Sequence, residues 1–304
     1  MHSHCLKRTD DYCLTWHEFA PSDPRVLICF SEHAGGLGAR GFGTDLCEKK
    51  KWNTVFVGKR TKSRFQGLSA EEFATILAPI LDGRQMLTYG ASAGGYAALY
   101  YGGLINARIL AASPRNSLHP IHAKNGVVSP EFVHQPSLSD LPLAAHNPII
   151  VYDSVETRDE RTVQNWVLPS YPDANVIRVW NAGHMALQKL KKAGSLSRLV
   201  GDFMAHKDME GWTYEFPEGT IDRSLDEARK TYERNDFSGA VDAMIGHFDV
   251  LGSYHLINTF ADAALQTGHK GAIELLLNAA THQARCPLRR GVVDKLKRCN
   301  SAVR

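Results

Sequence analysis

Between about residues 10 and 205 the chain repeats one pattern, in which a strand-length apolar run is followed by a helical stretch and then by another run. The runs are RVLICF (25–30), NTVFVG (53–58), RQMLTYG (84–90), ARILAAS (107–113), PIIVYD (148–153) and NVIRVW (175–180). They are rich in Val, Ile and aromatic residues and are bounded by Gly, Pro, Asn or Asp, as strands are. Near-continuous apolar character, rather than strict alternation, suits strands covered on both faces, as in a parallel sheet between layers of helices. The clearest helical stretch is SAEEFATILAPILDG, where Ser69 and Glu72 have capping-box spacing and Phe73, Ile76, Leu77, Ile80 and Leu81 form one apolar stripe. Alternating elements of this kind imply right-handed crossovers and an α/β fold, a doubly wound and mostly parallel sheet.

The pattern stops near residue 206. SLDEARKTYERND, SGAVDAMIGHFDVLG, YHLINTFADAALQTG and GAIELLLNAATHQ are amphipathic helical patterns separated by short turns, which suggests two antiparallel helix pairs. The expected division is an α/β domain over 1–206 and an all-helical extension over 207–304, with the boundary between Lys207 and Tyr214. The last twenty residues carry Arg285, Arg289, Arg290, Lys295, Lys297, Arg298 and Arg304 against one acid, Asp294. A solvated basic helix and tail accounts for them, and a docking surface for an anionic protein partner is the alternative.

Composition removes several function classes. With 43% hydrophobic residues the chain is not a disordered one, and a formal net charge of +3 is too small to indicate nucleic acid. No apolar run approaches the roughly 18 to 20 residues of a membrane span. The start, MHSHCLKRTDDYCLTW, lacks the apolar stretch of an export signal, so the expected location is the cytoplasm. Cys5, Cys13, Cys29, Cys47, Cys286 and Cys299 contain no C-x-x-C pair and read as reduced thiols.

One motif stands above this background. Gly90-Ala91-Ser92-Ala93-Gly94 follows a predicted strand and opens a predicted helix, the strand–turn–helix setting of a G-x-S-x-G nucleophile elbow. A serine on so sharp a turn has a strained backbone, and small flanking residues avoid collision with the neighbouring chain. The turn lifts the hydroxyl above the carboxyl ends of the strands, and the helix behind it offers free N–H groups to an oxyanion. A serine hydroxyl needs a base, and of fourteen histidines His184 sits in a loop directly after a late strand, beside Ala182 and Gly183. The acid that orients it should follow PIIVYD, where Asp159 and Asp153 are the candidates, with Glu156 behind them. Asp153 also suits a brace for the loop, and Asp159 a helix N-cap. One oxyanion N–H is expected from Ala93. The second is expected from the loop SEHAGGLGARGF, within Glu32 to Gly35, His33 and Ala34 among them. His33 and Arg40 in that loop are candidate substrate contacts, Arg40 for an anionic group.

In the order elbow, acid, histidine, residues 10–205 resemble the α/β-hydrolase superfamily. The resemblance implies an elbow after the fifth strand, an acid after the seventh and a histidine after the eighth. It also implies a serine hydrolase that forms an acyl-enzyme on a small-molecule or glycan acyl substrate. An acyltransferase acting on a glycan would use the same residues, and a non-catalytic scaffold on the same fold is the third reading. The stretch LAASPRNSLHP and the helical extension are similar to hydrolase-like proteins found with bacterial polysaccharide systems. Residues 114–147 are the room for a lid, and their polar, Pro-rich character argues against a greasy lipase lid. No cofactor or metal is expected. H-E-x-x-H, G-x-G-x-x-G and G-x-x-x-x-G-K-[ST] are absent, and His119-Pro-Ile-His122 has no matching Cys or acid cluster.

Overall fold

The computed structural model describes residues 2–248, 251, 254–282, 288 and 290–302. Arg285, Cys286, Arg289 and Arg304 lie outside them. The chain divides into two units, Met1–Thr213 and Tyr214–Arg304.

The first unit is built on one eight-stranded sheet: β1 (His2–Arg8), β2 (Tyr12–Glu18), β3 (Arg25–Phe30), β4 (Asn53–Lys59), β5 (Gln85–Ala91), β6 (Arg108–Ala112), β7 (Ile149–Tyr152) and β8 (Asn175–Arg178). Their order across the sheet is β1-β2-β4-β3-β5-β6-β7-β8. Every pairing from β4 to β8 is parallel, while β2 runs antiparallel to β1 and to β4. The hairpin of β1 and β2 has no counterpart among the apolar runs. HSHCLKR is polar and mostly exposed, as befits an edge strand that basic residues and a bulge between Cys5 and Lys7 keep from pairing further.

The parallel strands are covered on both faces, as their continuous apolar runs require. In β3, Val26, Ile28 and Phe30 join the main core, and Leu27 and Cys29 on the opposite face are also fully buried. Between strands run α1 (Thr44–Lys50), α2 (Ala70–Leu81), α3 (Ala93–Gly102) and α4 (Thr157–Thr162), and after β8 come α5 (Ala186–Lys192) and α6 (Leu196–Met204). Ser69 caps α2, its hydroxyl accepting the Glu72 N–H at 3.0 Å. The stripe below that cap packs Phe73 against Tyr101, 4.6 Å between ring centres, and against Phe30 at 5.8 Å. All ten residues of α3 are buried, so it is a core helix without a solvent face. Between β6 and β7 the chain runs as loop with short 3-10 turns at Pro120–His122 and Leu138–Asp140.

The second unit holds α7 (Ile221–Glu233), α8 (Phe237–Ile245), α9 (Tyr254–Thr267), α10 (Lys270–His282) and α11 (Arg290–Ala302). Neighbours in sequence pack together, and α11 returns to α9 as well as α10. Leu225, Val241, Met244, Phe260, Ile273 and Leu276 form the core. The basic end of the chain is thus partly core: Leu296 is fully buried there while Lys295, Lys297 and Arg298 are exposed. Among the described residues no helix is long and apolar enough to cross a membrane.

Phe73 is 0% exposed in this aromatic packing, so Phe73→Ala should lower the stability of the first unit by about 3–5 kcal/mol in urea unfolding.

Candidate active site

The elbow is a consequence of how closely α3 approaches the sheet. The Ser92 N–H donates to the Ala112 carbonyl at 2.9 Å, and its own carbonyl accepts the Tyr96 N–H at 3.0 Å as the first bond of α3. Between those two bonds Ser92 takes φ 56° and ψ −120°, outside the regions comfortable for an L-residue. A Cβ on Gly90 would lie 2.1 Å from the Gly94 carbonyl oxygen, and one on Gly94 would lie 2.5 Å from that of Phe30. Both neighbours are backbone, which cannot yield as a side chain would, so these two positions require glycine.

The structure brings three of the candidate residues together. Ser92 Oγ lies 2.8 Å from His184 Nε2, and His184 Nδ1 lies 2.8 and 3.0 Å from the two carboxylate oxygens of Asp159. In the tautomer these contacts favour, Ser92 donates to Nε2 and Nδ1–H donates to Asp159. Ser92 follows β5, Asp159 stands on α4 after β7, and His184 follows β8. Ser92 and His184 reach the surface, whereas Asp159 is fully buried. Burial holds the Asp159 pKa above the usual carboxylate value, a rise that the His184 and Arg115 partners offset only in part.

Asp153, the other candidate acid, is also fully buried but serves the loop and not the ring. Its Oδ2 accepts the N–H groups of Ala182 and Gly183, both at 2.9 Å, and Oδ1 accepts that of Val155 at 3.1 Å. It anchors the backbone that carries His184. Glu156 sits 3.3 Å from Arg115 Nη1, which lies at the same distance from Asp159 Oδ1. The sequence reading did not single out Arg115. Its signal was its position, just past the carboxyl end of β6 beside the elbow, where its backbone N–H donates to the Ser92 carbonyl at 3.1 Å.

The loop after β3 is braced from several sides. Lys59 Nζ donates to the His33 carbonyl at 2.9 Å, Thr61 Oγ1 to Gly35 at 3.4 Å and Arg8 Nη1 to Leu37 at 3.0 Å. The Gly35 N–H closes a turn on the Glu32 carbonyl at 3.2 Å, which removes it from the oxyanion candidates. The N–H groups of Glu32, His33 and Ala34 have no such backbone acceptor among the described residues, and that of Ala93 opens the first turn of α3. The His33 side chain is held below the usual histidine pKa by partial burial and then by the charges of Arg64, Lys59, Lys62 and Arg115. Arg40 differs from the expectation of a free anion contact. Its guanidinium is paired with Asp45 at 2.8 Å and Glu48 at 2.5 Å, on α1.

Among the described residues no group of three or more His, Cys, Asp or Glu is arranged to hold a metal ion. Removing the Asp153 carboxylate takes the acceptor from three half-buried N–H groups, so Asp153→Ala should cost about 1–3 kcal/mol, read as a lowered melting temperature.

No protein-family model and no curated protein matches the chain. Solved structures do. An a/b serine hydrolase without lid from Xanthomonas campestris aligns at 13% identity and a TM-score of 0.44, over 68% of this chain and 96% of its own. Dienelactone hydrolase from Anabaena variabilis aligns at 13% identity and 0.45, over 68% and 97%. Alpha/beta hydrolase domain-containing protein 10 from mouse aligns at 10% identity and 0.42, over 67% and 99%. With its sheet order β1-β2-β4-β3-β5-β6-β7-β8, an antiparallel β2 and a G-x-S-x-G elbow between β5 and α3, the first unit has the α/β-hydrolase fold.

Proposed function

We propose that the protein is a serine hydrolase that cleaves an ester or related acyl bond through a covalent acyl-enzyme, with Ser92, His184 and Asp159 as its triad. The observation that carries this reading is the unbroken chain of contacts from Ser92 Oγ through the His184 ring to a buried carboxylate, at 2.8 Å on each side of the ring. Each contact has a chemical use. Asp159 accepts the Nδ1 proton and so leaves the Nε2 lone pair facing the serine hydroxyl. As Ser92 Oγ attacks the acyl carbon, its proton passes to Nε2. The imidazolium so formed is stabilised by Asp159, which stays ionised. The negative charge that develops on the carbonyl oxygen is met by the Ala93 N–H and by a donor from the loop after β3.

His184 then protonates the departing alcohol, amine or thiol, leaving Ser92 acylated. A water molecule, deprotonated by the same Nε2, attacks the acyl carbon. Collapse of the second tetrahedral intermediate frees the acid and returns the proton to Ser92 Oγ. Asp153 supports this cycle at one remove, because it holds the Ala182–Gly183 backbone from which the imidazole reaches the serine. Arg115 supports it through Asp159, whose buried charge it partly balances.

The test is intact-mass analysis after exposure to a fluorophosphonate. The wild-type protein should gain one adduct, and Ser92→Ala and His184→Ala should gain none. Asp159→Asn should fold normally yet lower kcat on a short acyl ester by about 10³–10⁴-fold, since the amide favours the wrong tautomer. A folded wild-type protein that gains no adduct overturns the reading.

A further inference from the structure

Lys59 is an ammonium at a place where packing alone would favour an apolar side chain. The last residue of β4, it is 0% exposed. Its Nζ lies 5.8 Å from the centre of the Phe65 ring, and among the described residues the His33 carbonyl is its one hydrogen-bond acceptor. Burying a charge so sparsely paired is costly, and a methionine of similar length would fill the same volume without that cost.

Sheet order gives the lysine a use. β3 lies between β4 and β5. Lys59 ends β4, Ser92 follows β5, and the loop after β3 therefore has the lysine on one flank and the serine on the other. A planar trans peptide points its C=O and its N–H in opposite directions. With the His33 oxygen held on the β4 flank at 2.9 Å, the Ala34 N–H of the same peptide unit turns towards the β5 flank. That N–H has no backbone acceptor among the described residues, and the neighbouring candidate Gly35 is already engaged with Glu32.

Resting on the triad reading above, we infer that Lys59 is a positioning residue. It fixes the His33–Ala34 peptide so that the Ala34 N–H, with that of Ala93, forms the oxyanion hole. Lys59 does not touch the reacting atoms; it acts by preventing the loop peptide from flipping. Preorganised donors are effective because they need no reorientation as charge develops. The inference also explains why a loop so exposed at Glu32, His33 and Ala34 is tied to the sheet by a fully buried side chain.

The ammonium's own charge offers a readout that a purely structural lysine would not move. Burial pulls the Lys59 pKa down to about 8, with Glu32 acting to raise it and Arg64 to lower it. Loss of its proton weakens the bond to the His33 carbonyl, so the fluorophosphonate labelling rate of the wild-type protein should fall as pH rises through about 8.

Lys59→Met should fold, and should label Ser92 at least about tenfold more slowly at pH 7, with the alkaline decline gone. On a short acyl ester the loss should appear in kcat, with KM within about twofold. Lys59→Gln, which keeps an N–H donor without the charge, should recover part of the rate and show no alkaline decline. A wild-type rate that stays flat from pH 7 to 10 overturns the positioning role, whether or not the variants fold. So does a folded Lys59→Met that labels at the wild-type rate. The absence of any adduct on the folded wild-type protein instead overturns the triad reading, and the role of Lys59 falls with it.

Discussion

The close seating of α3 on the parallel sheet is the constraint from which the rest of the site follows. The helix begins where β5 ends, and it can do so only if one residue turns the chain through a strained conformation. Ser92 occupies that residue, with φ 56°, and the strain persists because both sides of it are pinned. Its N–H continues the ladder to Ala112, and its carbonyl starts the helix at Tyr96. Gly90 and Gly94 make the seating sterically feasible, since a Cβ at either would meet backbone within 2.5 Å. A fully buried helix of ten residues then anchors the turn in the core. The hydroxyl is thereby held at the rim of the sheet by elements that cannot shift without unpacking it.

Holding the imidazole is a separate problem, and two buried carboxylates divide it. Asp153 and Asp159 are both fully buried and both belong to the segment after β7, but only Asp159 meets the ring. Asp153 satisfies three backbone N–H groups, which makes the histidine loop as definite as a secondary-structure element despite its lack of regular bonds. Asp159 carries the harder electrostatic task, because burial disfavours its ionised form. The His184 N–H and the Arg115 guanidinium at 3.3 Å oppose that penalty, and Glu156 in turn balances Arg115. Charges thus alternate in sign from Asp159 through Arg115 to Glu156.

Much of this was legible in the sequence because the parallel strands carry continuous apolar runs and the elbow has few tolerated compositions. The strands β3 to β8, the cap at Ser69 and the placing of Ser92 and His184 all follow from local pattern. What was not legible lies where local pattern is weak or where two residues share a motif. β1 is an exposed edge strand, polar along most of its length, so it has no apolar run to read, and in the buried β2 the apolar residues Tyr12, Leu14 and Trp16 are interrupted by Thr15 and His17. Asp153 and Asp159 are each an acid after the same strand, and their division of labour depends on how the loop curls back, which spacing does not encode. Arg40 looked like a free cation only because its partners Asp45 and Glu48 stand on a helix too short and polar to be noticed. Arg115 and Lys59 matter through contacts made across the sheet, with residues far off in sequence.

The loop after β3 shows how such distant contacts fix a backbone. Its glycines suggest a flexible segment, yet side chains from β1 and β4 and from the turn after β4 take hold of alternate carbonyls at His33, Gly35 and Leu37. Each of these bonds binds an acceptor, and each peptide so bound has its N–H turned the other way. In the arrangement inferred above, the His33 carbonyl held by Lys59 leaves the Ala34 N–H facing the β5 flank, where an oxyanion beside Ser92 would form. Glycine lets the backbone pass close to its neighbours, as at Gly35, where a Cβ would strike the Ser31 hydroxyl. The side-chain donors then remove the freedom that glycine allows. Rigidity at this rim comes from the sheet reaching into the loop, and the buried ammonium of Lys59 is the deepest of those reaches.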